Sequence, residues 1–294
     1  MKLITVFTPT YNRAYCLHQV YESLINQTSK NFTWLIIDDG SSDTTRELVN
    51  GWINDGKIQV EYTYQENQGM HGAHNTAYTT IMTILNVCCD SDDSMPHDAI
   101  EIINKKWEEI DEREDLAGMV GLDIFKSGDI VGSAFPEELE YSTLGDIYRV
   151  HKSAGDKKLV LRTEVVKKYQ QYPIFEGERF VPLGILYLQI DQEYKLACIN
   201  KPLCIVEYLP DGSSLNIFNQ YKKNPKGFRH ARLVELKYSK SISQRVKKIL
   251  HLISSTLLIG DNQYFKDNSY KLLTFIIWPV GLLFHLYIII KSSK

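Results

Sequence analysis

Residues 87–93 constrain this chain more than any other stretch, because an apolar run ends there in the acidic sequence Asp90-Ser91-Asp92-Asp93. The short apolar run Val87-Cys88-Cys89 predicts a strand that enters the core. Three carboxylates within four residues at the end of a buried strand repel one another, so they favour a bound cation. Oxygen ligands suit a hard divalent cation, which commonly completes its coordination with the phosphates of a substrate. A solvated acidic loop without a ligand is the alternative interpretation.

Predicted strands and helices alternate along the first 110 residues. The strands are 3–8, 32–37, 58–64 and 85–89, and the helices are 14–26, 44–54, a helix that contains residues 71–75, and 96–110. This alternation of apolar strands with helices is typical of an α/β fold with a mostly parallel central sheet flanked by helices. A strand–turn–strand pattern at 118–122 and 128–132 follows, and then a strand with a short helix at 159–168.

Polar side chains cluster directly after each of the four predicted strands. The clusters are Thr10-Tyr11-Asn12, Asp38-Asp39, Glu66-Asn67 and the acidic sequence that starts at Asp90. In an open α/β sheet the carboxyl ends of parallel strands lie at one edge, where ligands bind. The sequence therefore predicts a ligand site built from these four loops.

Composition and motifs argue against several other classes of site. The 294 residues carry a formal charge of −3, which gives no indication of nucleic-acid binding. No Gly-x-Gly-x-x-Gly or P-loop follows the first predicted strand, so we expect carboxylates and a metal to hold any nucleotide. The five cysteines include no pair at zinc spacing and indicate reduced thiols in the cytosol. The N-terminus does not have the pattern of a secretory leader.

These motifs together resemble those of the family 2 glycosyltransferases, which have the GT-A (Rossmann-like) fold. The matching stretches are 9–13, 38–41, 66–69 with 73–75, and 90–93, and features typical of bacterial capsule, exopolysaccharide and cell-wall-polymer transferases are 71–75, 177–182 and Tyr208 with Asp211-Gly212. The resemblance implies a catalytic domain at residues 1–215. Its nucleotide-sugar-binding half is 1–110 and its acceptor-binding half is 111–215.

The resemblance also implies roles for individual residues. Those expected to bind the nucleotide sugar are Pro9, Thr10, Tyr11, Asn12, Arg13, Asp38, Asp39, Asn67, Gly69, Asn75, Asp90 and Ser91. Either member of the Asp38-Asp39 pair can face the base or ribose, or the pair can be an ordinary turn at the end of a strand. Asp90 and Asp92 would form a D-x-D site for Mn²⁺ or Mg²⁺, and of the two Asp92 is the one expected to bind the metal directly.

An inverting transfer needs a carboxylate that removes a proton from the acceptor hydroxyl. Glu178 matches the position in the family best, and Asp191 and Glu176 are the further candidates. A surface carboxylate paired with Arg179 or a nearby lysine is the alternative interpretation of Glu178. The chain departs from the family pattern after Val181-Pro182, where relatives often carry an acidic residue and this sequence has Leu183. That departure leaves the identity of the general base open.

The composition changes near residue 216, where a predicted helical tail begins. Ten Lys and Arg lie between residues 222 and 248 against one acidic residue, Glu235, and residues 272–290 carry no formal charge. A helix of those last residues would be about 28 Å long, marginal for a bilayer core of about 30 Å. We expect residues 216–294 to associate with the membrane as a peripheral or monotopic element, with a span or a buried helix pair as the alternatives.

The function expected from the resemblance is a metal-dependent inverting glycosyltransferase in bacterial surface polysaccharide synthesis. It would move a sugar from a nucleoside diphosphate sugar, with UDP-sugars as the expected donors, to a lipid-linked or polymer saccharide acceptor at the cytoplasmic face of the membrane. The expected partners are the donor, a polyprenyl-linked acceptor, the membrane surface and a second copy of the chain in a homodimer, but not nucleic acid. The alternatives are a catalytically silent partner in a polysaccharide-assembly complex and a sugar-nucleotide pyrophosphorylase.

Overall fold

The computed structural model describes residues 2–207 and 217–292, so the predicted motif at Tyr208 and Asp211-Gly212 lies outside the described residues. The chain forms two compact units. The first contains Met1–Gln171 and Gln189–Leu209, and the second contains Tyr172–Leu188 and Pro210–Lys294. The division at residue 215 between a catalytic domain and a tail stays a prediction.

The first unit is built on one sheet of eight strands in the order β3-β2-β1-β4-β7-β5-β8-β6. The strands are β1 (Ile4–Thr10), β2 (Phe32–Asp38), β3 (Val60–Tyr64), β4 (Leu85–Cys88), β5 (Leu116–Phe125), β6 (Tyr141–Ser142), β7 (Lys157–Arg162) and β8 (Lys195–Val206). β1 to β4 are parallel, as predicted, and β5 is parallel to β8. β7 runs antiparallel between β4 and β5, and β6 is antiparallel to β8.

The helices are α1 (Ala14–Ile25), α2 (Thr45–Asp55), α3 (Met70–Thr80), α4 (Ala99–Ile110), α5 (Leu144–Arg149), α6 (Thr163–Lys167), α7 (Gly184–Ile190), α8 (Ile217–Lys223), α9 (Pro225–Lys237), α10 (Ile242–Ile259) and α11 (Lys271–Lys291). The first four helices follow the strands as the hydrophobic pattern predicts, while α5 and α7 were not predicted. The α/β class is therefore confirmed.

Aromatic stacking joins the first two helices to the sheet. The rings of Tyr21 in α1 and Trp52 in α2 stack with centroids 4.6 Å apart, and both contact Trp34 of β2. Each of these three side chains is less than 10 % exposed, and aromatic pairs add about 1 kcal/mol beyond the area that they bury. This contact fixes α1 and α2 on one face of β2 and so places the loops that precede them.

One predicted strand, residues 128–132, is wrong. Only an isolated bridge between Ile124 and Ile130 forms there. The chain reverses tightly after Phe125, which accepts a hydrogen bond from the backbone N–H of Gly128. β7 already occupies that edge of β5 as far as the pair of Leu122 with Lys157, so residues 128–132 have no long free edge to join.

The second unit is helical. Its core contains Leu236, Ile249, Leu252, Ile253 and Ile277, contributed by α9, α10 and α11. α11 buries Thr274, Ile277, Gly281 and Ile288. A Cβ at Gly281 would lie 2.6 Å from Ile253 Cδ1, so the backbone of α11 approaches the side chains of α10 closely. Among the described residues, α11 alone is long and apolar enough to cross a bilayer, a test that buried helices of soluble proteins also pass.

Gly118 generates a prediction for the centre of the sheet. Its φ is +139°, and a Cβ there would lie 2.1 Å from the carbonyl oxygen of Val160 in β7. Gly118→Ala must therefore separate β5 from β7, and we expect it to lower the free energy of unfolding by about 3 kcal/mol or more. Gly51→Ala is the control, because its Cβ meets nothing within 4 Å in helix α2. We expect that change to stabilise the protein by up to about 1 kcal/mol. Urea unfolding measures both values, and equal stability of the two variants would contradict the strand contact.

Candidate functional site

The four predicted loops meet at one edge of the sheet. In the parallel register Thr10 pairs with Asp38, and Asp38 pairs with Tyr64, so β1, β2 and β3 end side by side. On the other side of β1, Phe7 pairs with Cys88, two residues before Asp90. The predicted meeting of these loops is confirmed.

Asn12 ties the loop after β1 to the loop after β2. Its Oδ1 accepts hydrogen bonds from the backbone N–H of Ser42 at 2.8 Å and of Asp43 at 3.3 Å. Its own N–H donates to Ser41 Oγ at 2.8 Å. The φ of Asn12 is +52°, a left-handed conformation that Asn adopts more readily than most residues. Asn12 therefore organises the site through backbone contacts.

The two acidic residues at the end of β2, Asp38 and Asp39, are buried and bonded within the site. Asp38 accepts hydrogen bonds from the backbone N–H of Ser41 and from the hydroxyl of Tyr62. Burial, together with the bond to Asp38, raises the pKa of Tyr62 to about 12. Asp39 accepts from the backbone N–H of Gln68 at 2.9 Å and of Gly69 at 2.7 Å. It also accepts from the side-chain amide of Gln65 at 2.7 Å. Asp39 thus holds the turn that begins helix α3.

Two oxygen atoms at this edge are buried without a hydrogen-bond partner among the described residues. They are Thr10 Oγ1 and Asn67 Oδ1. Thr10 is 3 % exposed. Gly40 lies against Asn67, since a Cβ at Gly40 would be 2.9 Å from the Asn67 backbone nitrogen. Buried polar atoms are normally bonded, so these two atoms indicate a place for a ligand or an ordered water.

The remaining predicted nucleotide-binding residues lie in the same loops and their helices. Pro9 is the penultimate residue of β1, and Tyr11, which follows the strand, is 49 % exposed. Gly69 precedes α3, and Asn75 is buried within α3. Ser91 is buried in the acidic loop. The roles of these side chains in binding stay predictions.

The acidic loop has counter-ions from its own chain. Asp92 lies 3.8 Å from Arg13, and Asp93 lies 3.7 Å from Lys158 of β7. Cys88 Sγ donates to Asp90 at 3.4 Å. Burial raises the pKa of Asp93 to about 7, although Lys158 lowers it. Protein cations therefore balance part of the charge that the sequence assigns to a metal.

The donor atoms still fit a divalent cation. Asp90 and Asp92 are both half-buried and present oxygen ligands. In the described part of the chain no three His, Cys, Asp or Glu side chains lie close enough to form a complete protein site. A cation shared with a diphosphate needs only one or two carboxylates, with phosphate oxygens and water as its other ligands. Asp90 and Asp92 suit that kind of site.

Glu178, in the second unit, lies at the start of helix α9. Its Oε1 accepts from the backbone N–H of Lys226 at 2.9 Å, and its Oε2 accepts from Gly227 at 2.8 Å. The side chain is 6 % exposed. Asn224, at the N-cap position, makes no side-chain cap, so Glu178 satisfies the free N–H groups of this helix. The alternative of a surface carboxylate does not describe it.

Asp191, in the first unit, has the same arrangement at helix α5. Its two oxygens accept from the backbone N–H groups of Leu144 at 2.9 Å and Gly145 at 2.6 Å. Burial raises the pKa of Asp191, and the two N–H bonds lower it. Both candidates for the general base thus stabilise the start of a helix, while Glu176 is exposed.

Sequence reasoning missed Lys158, Asp123 and Tyr62. Lys158 and Asp123 lie on strands that follow the acidic loop in sequence and return beside it, so their contacts depend on the sheet order. The one available signal was a pair of lysines, Lys157-Lys158, at the start of an apolar strand.

The sheet and its loop edge are those of the GT-A class of α/β proteins, and the comparisons with known proteins agree. Residues 1–349 of TarS from S. aureus, solved with UDP-GlcNAc, are similar with a TM-score of 0.60 and 16% identity, over 98% of this chain and 90% of that one. Mannosyltransferase PcManGT from Pyrobaculum calidifontis, solved with GDP-Man and Mn²⁺, is similar with a TM-score of 0.56 and 14% identity, over 99% of this chain and 83% of that one. At these identities the likeness shows the fold alone.

Sequence comparison shows a likeness to one family over the first part of the chain. Residues 5–121 match the description "Glycosyl transferase family 2". An uncharacterized glycosyltransferase from Rickettsia bellii is 31% identical over 145 residues, which are 47% of this chain and 21% of that protein. The matched segment of this chain is therefore similar to glycosyl transferase family 2, in agreement with its motifs. The match spans about a fifth of the length of the Rickettsia relative.

Asn12 generates a prediction for the site. Asn12→Ala removes the acceptor for two backbone N–H groups and places alanine at a φ of +52°. We expect it to lower the free energy of unfolding by about 2–3 kcal/mol. Asn12→Asp keeps the acceptor and tolerates this φ, so its loss should be less than about 1 kcal/mol. Chemical denaturation measures both, and an equal loss in the two variants would show that Oδ1 does not hold the loops together.

Proposed function

We propose that this chain is an inverting glycosyltransferase that takes a sugar from a nucleoside diphosphate sugar, with UDP-sugars as donors. The observation that supports this most is the loop edge of the sheet, where Asp90 and Asp92 lie in the same group of loops as Thr10 Oγ1 and Asn67 Oδ1. The edge offers unpartnered polar atoms for a nucleoside and carboxylates for a cation beside a diphosphate. This edge lies in the segment of the chain that matches glycosyl transferase family 2.

The residues of the edge divide the work of binding the donor. Thr10 and Asn67 would accept or donate hydrogen bonds to the nucleoside, within loops that Asn12 and Asp39 hold in place. Mn²⁺ or Mg²⁺, held by Asp90 and Asp92, would offset the charge of the diphosphate leaving group. Arg13, 3.8 Å from Asp92, adds positive charge at the same edge.

Inversion requires a carboxylate that takes the proton of the acceptor hydroxyl as the new glycosidic bond forms. We keep Glu178 and Asp191 as the candidates. Asp191 has the pKa direction that this role needs, because burial raises it. The paired N–H bonds on both carboxylates and the presence of Leu183 support a second candidate function, in which a partner of an assembly complex binds the donor without turnover.

Nucleotide binding by the full chain tests the donor site. We expect UDP with Mn²⁺ to raise the unfolding temperature, with a stabilisation of about 2.7 kcal/mol at a hundred times Kd, and we expect GDP, CDP and TDP to do less. Asp92→Ala should remove the part of the shift that depends on Mn²⁺. Asp115→Ala is the matched control, because Asp115 is an exposed carboxylate paired with Arg113.

Each outcome of this panel separates the candidates. A shift with UDP and Mn²⁺ together with release of UDP from a UDP-sugar supports the transferase. The same shift without release supports the silent partner. The absence of any nucleotide shift in a folded protein overturns both.

The second unit supports a further part of the proposal, that this glycosyltransferase acts at the cytoplasmic face of the membrane on a polyprenyl-linked or polymer saccharide acceptor. Its described residues contain fourteen Lys and Arg against five Asp and Glu. Two of those acids, Glu235 and Asp261, are paired with arginines. The surface that remains is basic, which suits anionic headgroups at about 1 kcal/mol per basic residue.

Helix α11 presents an apolar face beside this charge. Its exposed apolar residues recur at helical spacing and are Leu272, Phe275, Ile276, Val280, Leu283, Leu286, Tyr287 and Ile290. The opposite face packs on α10, whose first half carries Arg245, Lys247 and Lys248. Because one face of α11 packs on α10, a helix whose first half is basic, α11 suits a position in the plane of the membrane interface better than a span.

Membrane binding generates a prediction for this face. Leu283→Glu replaces a side chain that is 68 % exposed, and it should weaken binding to anionic vesicles about tenfold or more through lost apolar burial. Ile53→Glu is the matched control, since Ile53 is an exposed apolar residue of helix α2 in the first unit. Vesicle flotation of the full chain measures both. Equal binding by the two variants would contradict the assignment of this face.

A further inference from the structure

Lys158 lies where the carboxylates of the sheet edge are most crowded. β7 runs antiparallel between β4 and β5, so its first residues lie beside the carboxyl ends of both strands. Asp90 and Asp93 follow β4, and Asp123 is near the end of β5. The side chain of Lys158 is 12 % exposed, and its Nζ lies 3.7 Å from Asp93 Oδ2.

The groups around Lys158 leave it as a charged ammonium. Burial alone lowers its pKa, but Cys204, Asp123, Asp93 and Asp90 raise it well above its ordinary value. Burial raises the pKa of Cys204 well above its ordinary value, and its thiol donates to Asp93. Asp93 is the carboxylate that forms an ion pair with Lys158.

Other groups form few or long hydrogen bonds to the carboxylates beside Lys158. Asp93 accepts weakly from the N–H of Glu207 at 3.3 Å and from Cys204 Sγ at 3.4 Å. Asp123 is 3 % exposed, and its Oδ1 has no hydrogen-bond partner in the described part of the chain. Burial raises the pKa of Asp123, while Lys158 and, less strongly, Lys157 lower it. A buried charge without a partner is strongly unfavourable, so these carboxylates depend chiefly on Lys158.

The neighbouring Lys157 has a different position. Adjacent residues of a strand point to opposite faces, and the Nζ of Lys157 donates to the carbonyl oxygens of Ala154, Gly155 and Asp156. This lysine therefore serves the turn before β7, and Asp123 is the carboxylate of this group that it influences. It is a comparison within the same strand for the charge beside Asp93.

We propose that Lys158 is the resident counter-ion of the edge, a positioning residue that balances Asp90, Asp93 and Asp123 so that the divalent cation binds together with the donor diphosphate and not by itself. The part of this inference that concerns the donor diphosphate rests on the proposed function. The arrangement of charges around Lys158 comes from the structure. With Lys158 in place, the acidic loop keeps its arrangement without a metal. Without it, the same carboxylates attract a free cation more strongly.

The test compares Mn²⁺ binding to the full chain without nucleotide, by the electron paramagnetic resonance signal of free Mn²⁺. Lys158→Met should tighten Mn²⁺ binding about tenfold, a gain that a misfolded protein would not show. Lys158→Arg keeps the charge and should stay within about threefold of wild type, as should Lys157→Met. Asp93→Asn should weaken Mn²⁺ binding, and Asp93→Asn/Lys158→Met should return close to wild type because it removes both charges of the pair.

Titration with UDP at saturating Mn²⁺ completes the experiment, and Lys158→Met is expected to bind UDP more weakly than wild type. Unchanged or weaker Mn²⁺ binding by a folded Lys158→Met protein overturns the inference. If Lys158→Met does not fold, the inference is tested by comparing Asp93→Asn with the double variant. Equal Mn²⁺ affinity of those two proteins overturns the inference. If the wild-type chain shows no Mn²⁺-dependent binding of UDP, the proposed function is overturned instead. The Mn²⁺ affinities measured without nucleotide then still test the role of Lys158 as counter-ion.

Discussion

The parallel pairing of β1 with β2 on one side and β4 on the other is the constraint on which the rest of the structure depends. Every residue of β1 is buried, and its register places Thr10 beside Asp38. The backbone bond from Asp39 N–H to Thr10 O, at 2.8 Å, continues this pairing into the loops. A slip of one residue would turn each side chain of β1 to the other face, so the core and the loop edge are fixed by the same register.

Much of this first half was predictable from the sequence, because its signals are local. Apolar runs of strand length gave β1, β2 and β4, and the 3/4 spacing of Leu17, Val20 and Leu24 gave α1. The convergence of the loops then followed from a general property of parallel sheets. The order of the later strands was not predictable in this way, since β7 inserts between β4 and β5 and returns Lys158 to a loop more than sixty residues earlier.

The charge of the acidic loop shows what a local interpretation leaves out. Three carboxylates after a buried strand require a cation, and the sequence offers a bound metal as the simplest source. The fold supplies Lys158 and Arg13 instead, from β7 and from the loop before α1. Asp93, whose pKa burial raises to about 7, is turned toward the protein, while Asp90 and Asp92 are half-buried. Asp93 therefore serves the protein through Lys158, while binding of a ligand by Asp90 and Asp92 stays a proposal.

The contacts of the carboxylates proposed as general base likewise depend on residues that are distant in sequence. Glu178 and its helix are separated by 48 residues, and Asp191 and Leu144 by 47, so the sequence near each acid contains no sign of a cap. At a helix N-terminus a carboxylate meets free N–H groups and a favourable dipole, which fixes its position and stabilises its charged form. Such a fixed carboxylate can still accept a proton only if burial opposes these bonds, as it does for Asp191. The balance between these two effects, rather than the identity of the residue, decides whether either acid serves catalysis or only the fold.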